Sequence, residues 1–239
     1  MSIPSSPGHI AFICAMPMEV RPLVKKLRLE KTEIGGVPVR SGRIGDRKVV
    51  AIVTGMGTQL AREGTERLLD AVDVDEAVVV GITRGDRERD PHRDSCPPRG
   101  GSEQRHGCRI SPAPRAEGAP HGKMWTTDCL TTDSDEIAEL RAKGVVSLDM
   151  ETAGIAETCE ARRIPWSVFR VFSDRATDES INEEVFHLSK QDGTPNMMAI
   201  ACYFLKHPTH VARMAELAKG AKLASETAAD AAIRAFSVT

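Results

Sequence analysis

A chain of 239 residues is long enough to bury one sizeable α/β core, and none of its apolar runs approaches membrane-spanning length. A formal net charge of −2 and an aromatic content of only 4% leave neither the basic excess nor the stacking side chains that draw proteins to nucleic acid or anionic lipid. The opening MSIPSSPGHIAFI lacks the basic start of a secretory leader, and the cysteines at 14, 96, 108, 129, 159 and 202 are scattered, so they read as reduced thiols of a cytoplasmic protein.

Taken in chain order, His9 to Ala15 is an apolar run expected to form the first core strand. Met16-Pro17-Met18-Glu19 turns into a helix reaching Leu27, with Pro17 early enough to be tolerated and Glu19 in the first turn, where acids are ordinary. Thr32 to Ile44 reads as a hairpin turning at Gly35-Gly36, and Lys48 to Thr54 as the next strand. Gly55-Met56-Gly57 then opens a helix over Thr58 to Val72. This G-x-G has no third spaced glycine and no G-K-[ST] ending, so it supports neither Rossmann nor P-loop phosphate binding. Close strand–helix packing is the expected reason for its glycines. Glu76 to Gly81 is another buried strand.

From Arg84 to Arg115 the pattern stops. Eight arginines, no lysine and almost no apolar residue beyond Ile110 fill the window, among prolines, glycines and histidines. Three readings stand side by side. One is a disordered basic insert, extending to about residue 117. Another is a metal site on His92, Cys96, His106 and Cys108, although H-x3-C…H-x-C matches no usual zinc spacing. The third, which we hypothesise, is a reading frame shifted near Thr83 and restored before Gly118, because arginine, proline and glycine rise together when GC-rich codons are read out of register. Sequencing the coding DNA tests it, and an insert common to independent isolates counts against it.

Patterned sequence resumes at Lys123-Met124-Trp125, and Asp135 to Lys143 is a short helix. Val145 to Leu148 forms a strand that ends in Asp149 and Glu151. Ala153, Ile155, Ala156 and Cys159 suit a helix on a sheet, and Trp166 to Phe172 is a second buried strand ending in Ser173-Asp174. Carboxylates thus stand at the carboxyl end of two strands, where open α/β sheets bind ligands. Helix-terminal acids explain the same spacing without any ligand. Arg175 to Glu184 is a polar loop able to act as a lid. Met197 to Leu205 is an apolar helix, and Val211 to Phe236 an Ala-rich amphipathic helix for the sheet or a partner subunit.

Asp149-Met150-Glu151-Thr152-Ala153 followed by Arg170-Val171-Phe172-Ser173-Asp174 resembles the nucleoside phosphorylase/nucleosidase superfamily, most of all its 5'-methylthioadenosine/S-adenosylhomocysteine nucleosidases. The likeness runs from His9 to about Val80 and from about Gly118 to Phe204. It implies a single domain with a three-layer α/β/α sandwich around a mixed twisted sheet. It also implies hydrolysis of a purine nucleoside N-glycosidic bond in a homodimer without metal or organic cofactor.

Each role follows the same resemblance. Asp174, oriented by Ser173 and held protonated, donates to purine N7. Glu19, helped by Arg170, holds the attacking water; a strand-end salt bridge is the plainer role for Arg170. Glu151 accepts from the ribose hydroxyls, Asp149 joins it in binding the substrate, Met150 lies under the sugar, and Met16 and Met56 line the pocket, Met56 touching the 5' substituent. Thr83 belongs to the loop against the ribose. Trp125 to Leu130 is the base-recognition segment, in which Cys129 and Leu130 meet the purine, and Phe186 shields the pocket.

The family has a glycine-rich loop, a turn and a further strand where the arginine-rich window stands. Arg84 replaces an expected glycine, and a gap in the sheet or an exposed neighbouring edge is expected there. Phosphorylases of the superfamily place arginines in the first glycine-containing turn and after the fourth strand. Here the first turn carries Glu19, whose charge repels phosphate, and Arg84, near the second position, is discounted because it lies inside the arginine-rich window. Water is therefore the expected nucleophile. A phosphorylase, a nucleoside-binding module without turnover, and a damaged homologue remain the alternatives.

Overall fold

A computed structural model describes residues 8–85, 123–128, 133–175, 188, 190, 194 and 196–237, with the backbone alone at 174, 175, 201, 202, 205 and 208. The first half runs β1 (His9–Cys14), α1 (Pro17–Leu27), β2 (Glu30–Ile34), β3 (Val37–Ile44), β4 (Arg47–Val53), α2 (Thr58–Ala71) and β5 (Val74–Gly85). Then come β6 (Lys123–Thr126), α3 (Ser134–Ala142), β7 (Val145–Asp149), α4 (Thr152–Ala161), β8 (Trp166–Arg175), α5 (Met197–Lys206), a 3-10 turn (Pro208–His210) and α6 (Val211–Ser237). The described strands form one eight-stranded mixed sheet in the order β2-β3-β4-β1-β5-β7-β6, with β8 also on β5.

The period of two along the central strands divides the core between two faces. Ala11, Ile13, Val50, Ile52, Ala77 and Val79 face Ala61 and Leu68 of α2 and Ile155, Ala156 and Cys159 of α4. Ile10, Phe12, Val49, Ala51, Val78 and Val80 face Val20 and Leu23 of α1 and Ala228, Ala229, Ala232 and Phe236 of α6. Phe12 meets Phe236 edge to face at 6.3 Å. Each large side chain buried here stabilises the fold by roughly 1.5–3 kcal/mol. A Cβ at position 154 would stand 2.4 Å from the Thr58 carbonyl, so Gly154 is what lets α4 approach α2. The buried residues of α6 begin at Ala224, and its first turns are exposed at Val211, Arg213 and Glu216.

Strands β4, β1, β5 and β8 run parallel, so their carboxyl ends gather at one edge. Strand β5 runs four residues past Gly81, where the hydrophobic run ends, because Ile82–Gly85 pair with Val171–Arg175 of β8. Arg84 and Gly85 also pair antiparallel with Leu148 and Ser147, which brings the end of β7 to the same place. The gap expected in the sheet is thus closed among the described strands, through a joint only two residue pairs wide. Gly35 and Gly36 make the β2–β3 turn as expected, both at positive φ.

Gly57 departs from the expected packing role. A Cβ at 57 would meet nothing within 4 Å, but φ is 103° there and 99° at Gly55, so these glycines are required by backbone conformation. Most of the arginine-rich window, the 176–184 loop, Cys129, Leu130 and Phe186 lie outside the described residues.

Candidate active site

Glu19 is the third residue of α1, and its carboxylate reaches back over the helix start. Oε2 accepts from the backbone N–H of Ala15 and of Met16, each at 2.9 Å. Part of this is the reciprocal bond of a capping box. Capping does not explain Oε1, which accepts from the Ile82 N–H of β5 at 2.9 Å. The carboxylate lies on Gly81, where a Cβ would stand 2.3 Å from Oε1. Glu19 is buried, 1% exposed.

Arg170 enters from β8 and has the most partners. Nη2 donates to Glu151 Oε2 at 2.9 Å and forms an ion pair with Asp149 Oδ2 at the same distance. Nη1 donates to the Ile82 carbonyl at 2.6 Å, and Nε to Thr152 Oγ1 at 3.3 Å. The salt bridge raised from the sequence is therefore present; toward Glu19 the guanidinium acts through its charge alone. Asp149 also accepts from the Thr126 hydroxyl at 2.6 Å, and from the Thr152 N–H at 3.0 Å and hydroxyl. Glu151 Oε1 accepts from the Gly57 N–H at 3.1 Å, which ties the α2 entry turn to α4.

Three buried carboxylates thus share one guanidinium. Burial pushes the Glu19 carboxyl above its usual range, against the pull of Arg170 and the three N–H donors. Burial, with the charges of Asp149 and Glu19 adding to it, raises Glu151 to about 7 despite Arg170. Burial weakens the hold of Arg170 on its proton, but the three carboxylates outweigh it and leave the arginine more firmly protonated than usual. The buried Cys14 thiol nearby is raised by desolvation and then by Glu19. The cluster suits a guest that brings or develops positive charge.

Beside the ions lies a hydroxyl cluster. Thr83 Oγ1 is 2.7 Å from Ser147 Oγ and donates to the Leu148 carbonyl at 2.7 Å, and Ser173 Oγ donates to the Thr83 carbonyl at 3.5 Å. Met16, Met56 and Met150 are partly buried at the strand and helix junctions, and the Met150 carbonyl accepts from Thr58 Oγ1 at 3.1 Å. The backbone of Asp174 pairs with Arg84 at the end of β8.

The structure thus brings Glu19, Asp149, Glu151, Arg170, Thr83 and Ser173 to one sheet edge. Sequence reasoning missed Thr126 and Thr152, which hold Asp149. The D-x-x-T spacing of Asp149 and Thr152 was the available signal for the second. Among the described residues no His, Cys, Asp and Glu grouping could hold a metal ion.

The model of the phosphorylase superfamily matches residues 9–85 and 112–206, breaking off inside the arginine-rich window. A 5'-methylthioadenosine/S-adenosylhomocysteine nucleosidase of Exiguobacterium sp. is 28% identical over 203 residues, covering 72% of this chain and 87% of that one. The enzyme of that name from Bacillus thuringiensis is 24% identical over 203 residues, 72% of this chain and 88% of its own. Among solved structures, the Neisseria meningitidis nucleosidase in complex with methylthio-immucillin-A superposes with a TM-score of 0.68 at 17% identity, over 97% of this chain and 99% of that one. Futalosine hydrolase of Helicobacter pylori gives 0.68 at 14% identity, over 95% and 96%. With a family match spanning most of its length and a sheet of this layout, the chain belongs to the phosphorylase superfamily and has its nucleoside phosphorylase-like fold.

Proposed function

We propose that this protein hydrolyses the N-glycosidic bond of a purine nucleoside, such as 5'-methylthioadenosine or S-adenosylhomocysteine, and releases the free base. The observation that carries the reading is the buried cluster of Glu19, Asp149 and Glu151 on Arg170, whose carboxylates outnumber its one cation. Breaking a glycosidic bond leaves positive charge on the sugar, and fixed negative charge in a dry site stabilises it without reorganisation. The two nucleosidase relatives, matched over most of their length, support the same reading.

In this reading Asp174 protonates N7, which turns the purine into a better leaving group. Ser173, tied to the Thr83 carbonyl, orients it. Glu151 keeps a lone pair on each oxygen for the ribose hydroxyls, and Met150 lies under the ring. Glu19, fixed by three backbone N–H donors, positions the attacking water and takes its proton. Met16 and Met56 line the 5' side, and Cys129, Leu130 and Phe186 enclose the base. We further infer one domain, action in the cytoplasm and a homodimer. The buried free thiols Cys14 and Cys159 fit a reducing compartment, and exposed Met197, Met198, Val211 and Leu223 offer apolar surface for a second copy. Free-base release from methylthioadenosine, blocked by Asp174→Asn while the nucleoside still binds, is the expected result. An unchanged rate in that variant would sink the mechanism.

A further inference from the structure

Asp149 stands next to the ribose-binding glutamate in sequence, yet it has no room for a substrate. Its side chain is 1% exposed. Oδ1 is taken by the Thr126 hydroxyl, and Oδ2 receives the Thr152 N–H and the Thr152 hydroxyl and is ion-paired with Arg170 Nη2. Two of these donors close the β7–α4 corner, and Thr126 Oγ1 also accepts from the Ala153 N–H at 3.2 Å. A helix-starting acid needs only those. The ion pair with Arg170 is additional, and its nitrogen is the one that donates to Glu151 Oε2 at the same distance of 2.9 Å.

We propose that Asp149 is a positioning residue: it divides Arg170 with Glu151, and so keeps the Glu151 carboxylate in place but only partly neutralised. This rests on Glu151 being the group that meets the sugar. The charged groups around it are Arg170 from β8, Glu19 from α1 and Asp149 itself, with the Cys14 thiol on β1 behind them. If Asp149 loses its charge, Arg170 turns wholly to Glu151. Glu151 then ionises at lower pH, and the field that favours a cationic sugar weakens. Asp149 thus trades easy ionisation of its neighbour for negative charge at the reacting centre.

The test is Asp149→Asn, read by the pH profile of base release and by carbon NMR of protein labelled at the glutamate carboxyls, with Glu151→Gln to assign the signal. The Glu151 titration and the acid limb of kcat/KM are expected to move down by about 1 on the pH scale. kcat on the plateau is expected to fall about tenfold with KM within twofold, the pattern of an interaction made in the transition state. Asp149→Glu, which keeps the charge, is expected to hold the limb in place. Asp149→Ser keeps an oxygen for the Thr152 N–H and carries the same test should the amide variant not fold.

Activity lost evenly at all pH, with the Glu151 titration unmoved, would make Asp149 a structural cap and overturn the proposal. So would a raised KM alone, the mark of direct substrate contact. The NMR titration needs no turnover, so a protein that releases no base still decides the role of Asp149, while the assay decides the hydrolase reading separately.

Discussion

Two arginines at opposite ends of the sheet make the same kind of contact under different conditions. Arg47, where β4 begins, pairs with Asp75 at 3.7 Å, with side chains 29% and 45% exposed. Arg170, where β8 leaves the core, faces Asp149 and Glu151 at 2.9 Å, with side chains 3%, 1% and 7% exposed. Water screens the first pair, which therefore contributes about 0–1 kcal/mol. At the second, every donor and acceptor must be matched within the protein, and the imbalance of charge has no solvent to absorb it. The amino end of the sheet is built to be wet and indifferent; the carboxyl end concentrates charge where a reaction can use it.

The largest expected effect breaks the carboxyl end chemically: Asp174→Asn should reduce base release to background, with nucleoside binding retained by calorimetry. Next, Arg170→Met leaves three acids without their cation and should destabilise the protein by about 3–5 kcal/mol in urea unfolding. Arg47→Met at the wet end should change it by less than about 0.5 kcal/mol. Equal effects at the two ends would remove the contrast. Gly81→Ala places a methyl against the Glu19 carboxylate, which must then leave its three N–H donors. A displacement on that scale should lower kcat by about 10²-fold with little change in KM.

The smallest effect is a slope with pH. Glu151 is raised in the fold to about 7, so the folded state binds the proton more tightly than the unfolded chain. Its contribution to stability is therefore full below the ordinary carboxylate range, and is lost as pH rises through about 7. Glu19, also raised, acts with the same sign. Against Glu151→Gln, the Tm of the unsubstituted protein should fall further between pH 5 and pH 8; a parallel course would contradict the shared-guanidinium account.

Much of this was legible from residue order. The central strands announce themselves as apolar runs, the hairpin as Gly35-Gly36, and the buried acids of the candidate site as Asp149 and Glu151 after a strand. The extension of β5 to Gly85 was not legible, since Arg84 and Gly85 carry no strand signal of their own and are held there by β7 and β8. Nor was the division of Arg170. Its partners lie 19 and 21 positions back, and only the fold decides whether a guanidinium turns toward water, toward Glu19 or toward Asp149 and Glu151. Glu19 shows the same limit from the other side: its place in a helix first turn hides a carboxylate that bridges to a strand more than sixty residues away.

The most direct test of the hydrolase reading is free-base release from methylthioadenosine by the purified protein, with and without phosphate. Release that needs no phosphate and is not accelerated by it is the predicted result, since in the proposed mechanism Glu19 holds the nucleophile's place, where phosphate would meet like charge. Release only when phosphate is present would contradict it and make the enzyme a phosphorylase.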